Sequence, residues 1–222
     1  MDEKDALKIS REVAKRVQKA ILSLPVEVLL KEKIRVLSEE CGYVGEGDIF
    51  VALDPLDGTF NAVHGIPFYS ISLCFSNSEK FRDAFFGYVF NLFSGDEYYA
   101  GKEAFKNGKR IRVKFEENFS KMDAIVYYPT KVLPFKRIRI YGSAALETCL
   151  VAEGSFDCFV DLRGMLRIFD VAGGVYIAEK AGAVAMDENG QSLENKRFEL
   201  SERLNLILSN ERICKKLLEM IL

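Results

Sequence analysis

The spacing of apolar residues predicts one long helix at the start of the chain and short strands after it. Over residues 5–24, apolar side chains recur every three or four positions and charged residues fill the others, as in an amphipathic helix that Pro25 ends. The period then shortens to two, most clearly over 69–76, where large apolar residues alternate with serine and cysteine. Further strands are predicted over 34–37, 49–53, 81–93 and 98–100, and Asn107-Gly108 predicts a hairpin turn into 110–113.

The second half of the chain predicts longer helices between its strands. Ser143 is a suitable N-cap for a helix over 143–153, and Asp170 begins an alanine- and glycine-rich helix that extends to 181. The remaining elements are strands over 124–128, 137–141, 156–161 and 204–208, strand character over 166–169, and a final helix over 212–222. Interleaved strands and helices favour a layered α+β or α/β fold.

Composition and charge exclude several classes of protein. Of the 222 residues, 49% are hydrophobic and 29% are charged, which is typical of a globular chain. The 31 basic and 33 acidic residues give a net charge of −2, so the attraction that nucleic-acid binding requires is missing. We expect no membrane span and, because the acidic N-terminus does not resemble a secretory signal, a cytoplasmic protein. We treat the chain as a single domain, 1–222, with halves that meet near residue 120.

The cysteines do not form a metal-binding pattern. The five cysteines are scattered without a Cys-x-x-Cys pair, and His64 is the one histidine, which argues against a zinc site. We expect the cysteines to be reduced core residues. The segment 42–47, rich in glycine, is expected to be a connector between strands.

The strongest chemical signal is the sequence Asp-Pro-Leu-Asp-Gly-Thr at 54–59, which follows an apolar strand. Pro55 favours an extended conformation at Asp54, so the turn can direct the carboxylates of Asp54 and Asp57 and the Leu56 carbonyl toward one place. Oxygen ligands of this kind suit Mg²⁺. Asp-Pro and Asp-Gly are also common turn dipeptides, so the motif alone leaves a purely structural interpretation open.

Neighbouring residues add an anion site and more carboxylates. The backbone N–H groups of Gly58 and Thr59, at the start of a helix, offer a seat for a phosphate. Glu39 and Glu40 follow a strand upstream, and Asp170 stands at the start of a helix downstream, where it can also act only as a cap.

Five segments, taken in order, carry a family resemblance. They are Ser-Glu-Glu at 38–40, Asp-Pro-Leu-Asp-Gly-Thr-Phe-Asn at 54–61, Gly-Ser-Ala-Ala at 142–145, Asp-Val-Ala-Gly-Gly at 170–174 and Glu-Lys-Ala-Gly at 179–182. Together they resemble the inositol monophosphatase/fructose-1,6-bisphosphatase family, particularly its archaeal members with both activities. The resemblance covers nearly the whole chain. It implies an αβαβα sandwich, a homodimer, and Mg²⁺-dependent hydrolysis, with Mn²⁺ as a substitute, of small-molecule phosphate esters such as inositol 1-phosphate and fructose 1,6-bisphosphate.

The resemblance also implies roles for individual residues. The implied metal ligands are Glu39, Asp54, Asp57, Asp170 and the Leu56 carbonyl oxygen. The implied substrate contacts are Gly58, Thr59, Ser143, Ala144 and Asp161, the last to a substrate hydroxyl. Catalysis is assigned to Glu39, Glu40, Asp54 and Asp57, with Glu40 supporting a ligand or orienting a water. In such a site the metals lower the pKa of a bound water and neutralise the phosphate.

The chain departs from the family pattern between its first helix and Ser38. Relatives carry a Thr-x-x-Asp motif there whose threonine helps to activate the attacking water, but this chain has no threonine before Thr59. A helix-length segment is missing between Val28 and Leu29, and a shorter deficit lies near 163–164. Either the chain is a shortened family member, or the sequence omits a segment that the molecule contains. The second explanation is favoured, because loss of a neighbouring helix would expose the apolar stripe of the first one.

Other functions remain open from the sequence. A haloacid-dehalogenase-like phosphatase also places acids before Gly-Thr, but spaces them Asp-x-Asp, whereas Asp54 and Asp57 are three apart. A catalytically impaired metal- and phosphate-binding homologue would explain the absent threonine, and a 3′-nucleotide or NADP phosphatase of the same superfamily would use the same motifs. The basic residues Lys136, Arg137, Arg139, Arg163 and Arg167 are either solvated charge or, for one or two of the arginines and Arg167 in particular, ligands of a second substrate phosphate.

Overall fold

Two sheets and three helical layers form the molecule. In the computed structural model, which describes residues 1–19, 29, 31–38, 41–129 and 131–221, eight strands form a first sheet in the order β2-β1-β3-β4-β5-β6-β7-β8, and five strands form a second in the order β10-β9-β11-β13-β12. The strands β1 to β13 are Ile34–Ser38, Gly42–Val44, Ile49–Asp57, Ser70–Ser76, Ala84–Asn91, Glu97–Ala100, Ala104–Lys106, Lys109–Arg110, Asp123–Val126, Arg137–Arg139, Cys158–Arg167, Val184–Met186 and Arg203–Ser209. The helices α1 to α5 are Glu3–Lys19, Thr59–Val63, Ala144–Ala152, Ile168–Lys180 and Glu211–Ile221.

Alternation along the strands explains the layers. Successive side chains of a strand point to opposite faces, and the buried residues of both sheets divide in that way. In the first sheet, Val51 and Leu53 pack with α1, whereas Ala52 packs on the other face with α3 and α4. In the second sheet, Phe159 faces α3 and α4, whereas Val160 faces α5. The order of layers is therefore α1, sheet, α3 with α4, sheet, α5, and the predicted αβαβα sandwich is confirmed.

Several predicted elements have different bounds in the structure. The strand predicted over 81–93 begins only at Ala84, because Phe81–Asp83 forms a 3-10 turn. The expected connector over 42–47 is wrong in its first part, where Gly42–Val44 pairs with β1 as a strand. The helix predicted from Asp170 begins at Ile168, after a single strand that joins the predicted stretches 156–161 and 166–169.

The first helix buries its apolar stripe against the first sheet. Ala6, Val13 and Ala14 are buried in the same cluster as Val51 and Phe75. The expectation that a shortened chain would leave this stripe exposed is therefore wrong for residues 1–15, because the sheet covers it. The part of the predicted helix from 20 to 24 lies outside the described residues. Within the described part of the chain, no helix has both the length and the apolar character needed to cross a bilayer.

Glycines of the central helix α4 allow close packing around the site. A methyl group added at Gly174 would stand 2.0 Å from Thr148 Oγ1 and 2.7 Å from the Ala145 carbonyl oxygen, and one at Gly173 would stand 2.7 Å from Ser72 Oγ. The middle of α4 is therefore held directly against α3 and β4, which brings the two halves of the chain together.

A partly buried glutamate on α4 makes the stability of the protein depend on pH. Burial, the largest cause, raises the pKa of Glu179 from 4.5 to about 7. The unfolded chain therefore releases this proton at a lower pH than the folded one, so the free energy of unfolding falls as pH rises from about 4.5 to about 7. We expect Glu179→Gln to remove this fall and to raise the free energy of unfolding at pH 8 by up to about 3 kcal/mol. Urea unfolding at pH 4 and pH 8 measures it, with the exposed Glu46→Gln as control; equal shifts at both pH values would contradict the prediction.

Candidate active site

A bulge at the end of β3 forms the acidic part of the site. Asp54 pairs with Ser72 of β4 and Asp57 pairs with Ser70, so β3 contains one more residue than its partner over this stretch. Pro55, which has no N–H to donate to the ladder, lies in the bulge. Asp54 and Asp57 are both largely buried, at 9% and 8% exposure, yet both line one pocket.

Local hydrogen bonds hold the turn that joins the two acids. Asp54 Oδ1 accepts from the Leu56 N–H at 2.9 Å, and Thr59 Oγ1 donates to the Leu56 carbonyl oxygen at 2.9 Å. Leu56, whose carbonyl the resemblance implies as a metal ligand, lines the pocket, and in this arrangement that carbonyl accepts the Thr59 hydroxyl.

Gly58 begins the short helix α2 with a backbone that only glycine adopts readily. Its φ of 85° lies in the left-handed region. A methyl group here would stand 3.1 Å from the Phe68 carbonyl oxygen, 3.2 Å from the Gly142 carbonyl oxygen and 3.2 Å from Ser143 Cβ. The predicted phosphate seat is therefore a place where two turns approach closely, and Gly58 and Thr59 both line the pocket.

Asp57 occupies the N-terminus of α3, which lies 87 residues further along the chain. Its carboxylate accepts the Ala144 N–H at 3.2 Å, the Ala145 N–H at 2.9 Å and a short hydrogen bond from Ser143 Oγ. Ser143 is at the N-cap position as predicted, but its own side chain does not cap the helix because it donates to Asp57. Ser143 and Ala144, implied as substrate contacts, thus bind Asp57 in this arrangement, and Ala144 also lines the pocket.

The pKa of Asp57 is raised mainly by burial and in part by a charge from the other half of the chain. Burial raises this pKa most, the charge of Asp170 raises it further, and the hydrogen bonds from Ser143 and the Ala144 and Ala145 N–H groups lower it. Two carboxylates that disfavour each other's charge in a buried pocket are stabilised by a bound cation.

Asp170 reaches the pocket from the third position of α4. Asp170 Oδ2 accepts from the Arg167 N–H at 2.9 Å, which caps the helix, and the Arg167 guanidinium lies 3.3 Å from Asp170 Oδ1. Arg167, the candidate ligand of a second phosphate, is therefore paired with an implied metal ligand and also lines the pocket.

One pocket of about 300 Å³ collects these residues from both halves of the chain. Asp54 and Asp57 line it from the first half and Asp170 lines it from the second. Across the described residues, no three acidic, histidine or cysteine side chains stand close enough, as placed, to hold a metal ion. Glu39 and Glu40 fall outside the residues that the structure describes.

The carboxylate oxygens that line the pocket are of the kind that binds a divalent cation. Asp54, Asp57 and Asp170 supply carboxylate oxygens, the ligands that Mg²⁺ and Mn²⁺ prefer. Burial and, to a smaller extent, the charge of Asp170 raise the pKa of Asp57, and a bound cation would favour the charged form of both carboxylates. Each of the three carboxylates also accepts a backbone hydrogen bond from the protein, which limits the orientations that it can adopt.

Asp161, for which the resemblance implies a contact to a substrate hydroxyl, does not line the pocket. Its carboxylate is fully buried and binds Arg163 through two hydrogen bonds, Nε to Oδ1 at 2.9 Å and Nη2 to Oδ2 at 2.6 Å. Arg163 lines the pocket, and it lies in the part of β11 that leaves its register with β13, between Asp161 and Leu166. The contact to a substrate hydroxyl that the resemblance implies for Asp161 stays a prediction.

Two further residues of the site carried no signal in the sequence. Tyr127 lines the pocket, and its ring lies 4.2 Å from the Arg163 guanidinium. Glu147 on α3 is fully buried, and burial, the largest cause, raises its pKa to about 7. A glutamate in a helical pattern is normally a surface residue, so only the structure identifies it.

The fold and the pocket define a class of enzyme, and the comparisons agree. The chain belongs to the inositol monophosphatase family, a family of phosphatases, whose model matches residues 2–221. A fructose-1,6-bisphosphatase/inositol-1-monophosphatase of Archaeoglobus fulgidus is 53% identical over 100% of both chains. That alignment has 252 positions, thirty more than the 222 residues here, so this relative contains residues without a counterpart in this chain.

Two other matches describe the breadth of the family. A bifunctional NADP phosphatase/NAD kinase of Methanococcus maripaludis is 31% identical over 82% of this chain and 38% of its own length. A solved structure of a Pyrococcus horikoshii protein with similarities to inositol-1 monophosphatase superposes with a TM-score of 0.88 at 25% identity, covering 100% of this chain and 99% of that one.

Proposed function

We propose that this protein is a Mg²⁺-dependent phosphatase that hydrolyses inositol 1-phosphate and fructose 1,6-bisphosphate at one site by direct attack of water. The observation that supports it most is the meeting of Asp54, Asp57 and Asp170 in one pocket beside Gly58. Full-length similarity at 53% identity to an enzyme named for both activities supports the choice of substrates.

Different residues of the pocket would bind the cation, the phosphate and the alcohol part of the ester. When bound, the cation would supply an acidified water and neutralise charge on the phosphate. Asp54, Asp57 and Asp170 would hold it, and the N–H groups of Gly58 and Thr59 would bind phosphate oxygens. Arg163 and Tyr127 border the side of the pocket where the alcohol part of the ester would lie. We further propose that the enzyme acts as a homodimer in the cytoplasm.

Phosphate release tests the proposal directly. We expect the purified protein to release phosphate from both esters with Mg²⁺ and to lose that activity with EDTA. A chain of verified mass that binds Mg²⁺ and phosphate but releases no phosphate from either ester would instead support the catalytically impaired homologue. The missing threonine is the feature that favours this alternative. A phosphorylated aspartate trapped during turnover would contradict attack by water.

Arg167 is the residue expected to separate the two substrates. Its guanidinium lies on the pocket, so we expect Arg167→Ala to raise KM for fructose 1,6-bisphosphate at least about tenfold and KM for inositol 1-phosphate much less, since the second substrate has no other phosphate to bind. Steady-state kinetics on both esters measures it. Arg110→Ala, on exposed β8, is the control, and equal changes in KM for both esters would contradict the assignment.

An NADP or 3′-nucleotide phosphatase activity is a second candidate, favoured by one feature. A cavity of about 320 Å³ adjoins the site and shares Tyr127 and Arg163 with it. The Arg163 guanidinium lies 5.4 Å from the centre of the Tyr128 ring, so the cavity has an aromatic face that already contacts a planar cation. Comparison of kcat/KM for NADP with that for inositol 1-phosphate, in wild type and Tyr128→Ala, tests it. A loss confined to NADP supports this candidate.

A further inference from the structure

A buried glutamate outside the implied catalytic set connects two walls of the pocket. The Glu147 side chain, in the first turn of α3, is fully buried. Its Oε1 accepts the Tyr141 N–H at 2.5 Å and the Gly142 N–H at 3.3 Å, and its Oε2 accepts the Tyr127 hydroxyl at 2.6 Å. All three donors belong to segments that border the site.

The first wall is the turn that leads into α3. Gly142 has a φ of 85°, and its carbonyl oxygen lies where a methyl group on Gly58 would approach to 3.2 Å. Asn61 Nδ2 donates to the Tyr141 carbonyl oxygen at 2.6 Å, so this turn is fixed from the α2 side as well. Ser143, the next residue, donates to Asp57. The position of the turn therefore sets where Asp57 and the phosphate seat lie relative to each other.

The second wall is the aromatic side of the pocket. Tyr127 is fixed at its hydroxyl by Glu147 and at its ring by the Arg163 guanidinium 4.2 Å away. Without the carboxylate, the hydroxyl and two backbone N–H groups would lose a buried acceptor, and each wall could move independently.

We propose, on the basis of the phosphatase function above, that Glu147 is a positioning residue: it fixes the 141–143 turn and the Tyr127 ring so that Asp57, Gly58 and the substrate keep one geometry. The glutamate touches neither substrate nor cation in this role. Displacement of a pocket wall affects the transition state more than substrate binding, so its loss lowers kcat with a smaller change in KM.

The C-cap residue of the same helix provides a matched control. Glu153 has a partly buried carboxylate, 12% exposed, and it accepts from the Tyr98 hydroxyl at 3.1 Å and from Lys106 Nζ at 2.6 Å. Glu153 does not line the pocket. Removal of either glutamate costs a tyrosine hydrogen bond, but only removal of Glu147 releases the turn.

Kinetics and amide exchange on full-length variants test the inference together. We expect Glu147→Ala to lower kcat about 10- to 100-fold and to accelerate hydrogen exchange at Tyr141 and Gly142. Glu147→Gln, which keeps an oxygen for both N–H groups, should restore most of kcat and the slow exchange. Glu153→Ala should lower the melting temperature but change neither kcat/KM nor exchange in the turn.

Two results would overturn the inference. One is unchanged exchange at Tyr141 and Gly142 in Glu147→Ala, which decides the positioning role even if the wild type releases no phosphate. The other is a kcat of Glu147→Ala that equals the kcat of an active wild type, or that falls no further than the kcat of Glu153→Ala. A wild type that is inactive on every ester contradicts the proposed function alone, and the exchange result still decides the role of Glu147.

Discussion

Asp54→Asn is expected to lower kcat/KM about 10³-fold while the protein remains folded. The amide oxygen of asparagine can still accept the Leu56 N–H that Asp54 Oδ1 accepts at 2.9 Å, so the turn at the end of β3 keeps its hydrogen bond. What is lost is one negative charge in the pocket that Asp57 and Asp170 share. If that charge holds a cation that stabilises the transition state, its removal costs about 4 kcal/mol of activation free energy.

Two measurements check the Asp54 prediction. Steady-state kinetics with saturating Mg²⁺ gives the loss of activity, and thermal unfolding with and without Mg²⁺ gives the loss of cation binding, because a ligand that binds only the folded state raises the melting temperature. Asp187→Asn, which keeps its turn but lies away from the pocket, is the control. A variant with wild-type activity would show that Asp54 is only a turn residue.

Gly58→Ala is expected to reduce both activity and stability. Its φ of 85° costs a residue with a side chain about 1–2 kcal/mol. The new methyl group would also stand within 3.2 Å of Phe68, Gly142 and Ser143, so the phosphate seat must shift. We expect kcat/KM to fall at least about 100-fold, because the N–H groups that bind the phosphate would move.

Gly65 separates the two causes of this loss. It has a φ of 70°, but a methyl group there has no heavy atom within 4 Å. Gly65→Ala therefore introduces the backbone strain without the crowding and should lower the melting temperature with little effect on kcat/KM. If both alanine variants lose activity equally, the crowding at Gly58 is not what matters and the account of the phosphate seat is wrong.

Local patterns in the sequence predicted the parts of the fold that depend on neighbours in the chain. Alternation over 69–76 became β4, and the Asn107-Gly108 turn joins β7 to β8 with positive φ at both residues. The predicted strand over 81–93 failed at Phe81–Asp83, where the backbone N–H of Phe81 bonds to the distant Lys196 carbonyl oxygen. The alternation of apolar and polar residues carries no information about such a long-range partner.

In the candidate site, too, local patterns predicted only the features that depend on neighbours in the chain. The motif at 54–59 contains its own turn chemistry, so its residues could be selected from the sequence, and Asp170 required the family resemblance because it lies 113 residues after Asp57. The capping of α3 by Asp57, the pairing of Asp161 with Arg163 and the role of Glu147 could not be predicted. Each depends on side chains that meet only after both halves fold, and a buried charged residue has the same sequence signature as a solvated one.

A crystal structure of the protein grown with Mn²⁺, with anomalous diffraction recorded for manganese, tests most directly the claim that acids from both halves of the chain bind a cation together. The account predicts a manganese peak in the pocket with oxygen ligands from Asp54, Asp57 and Asp170. A pocket without manganese at millimolar Mn²⁺, or a peak bound by the first-half acids while Asp170 remains on Arg167, would contradict it.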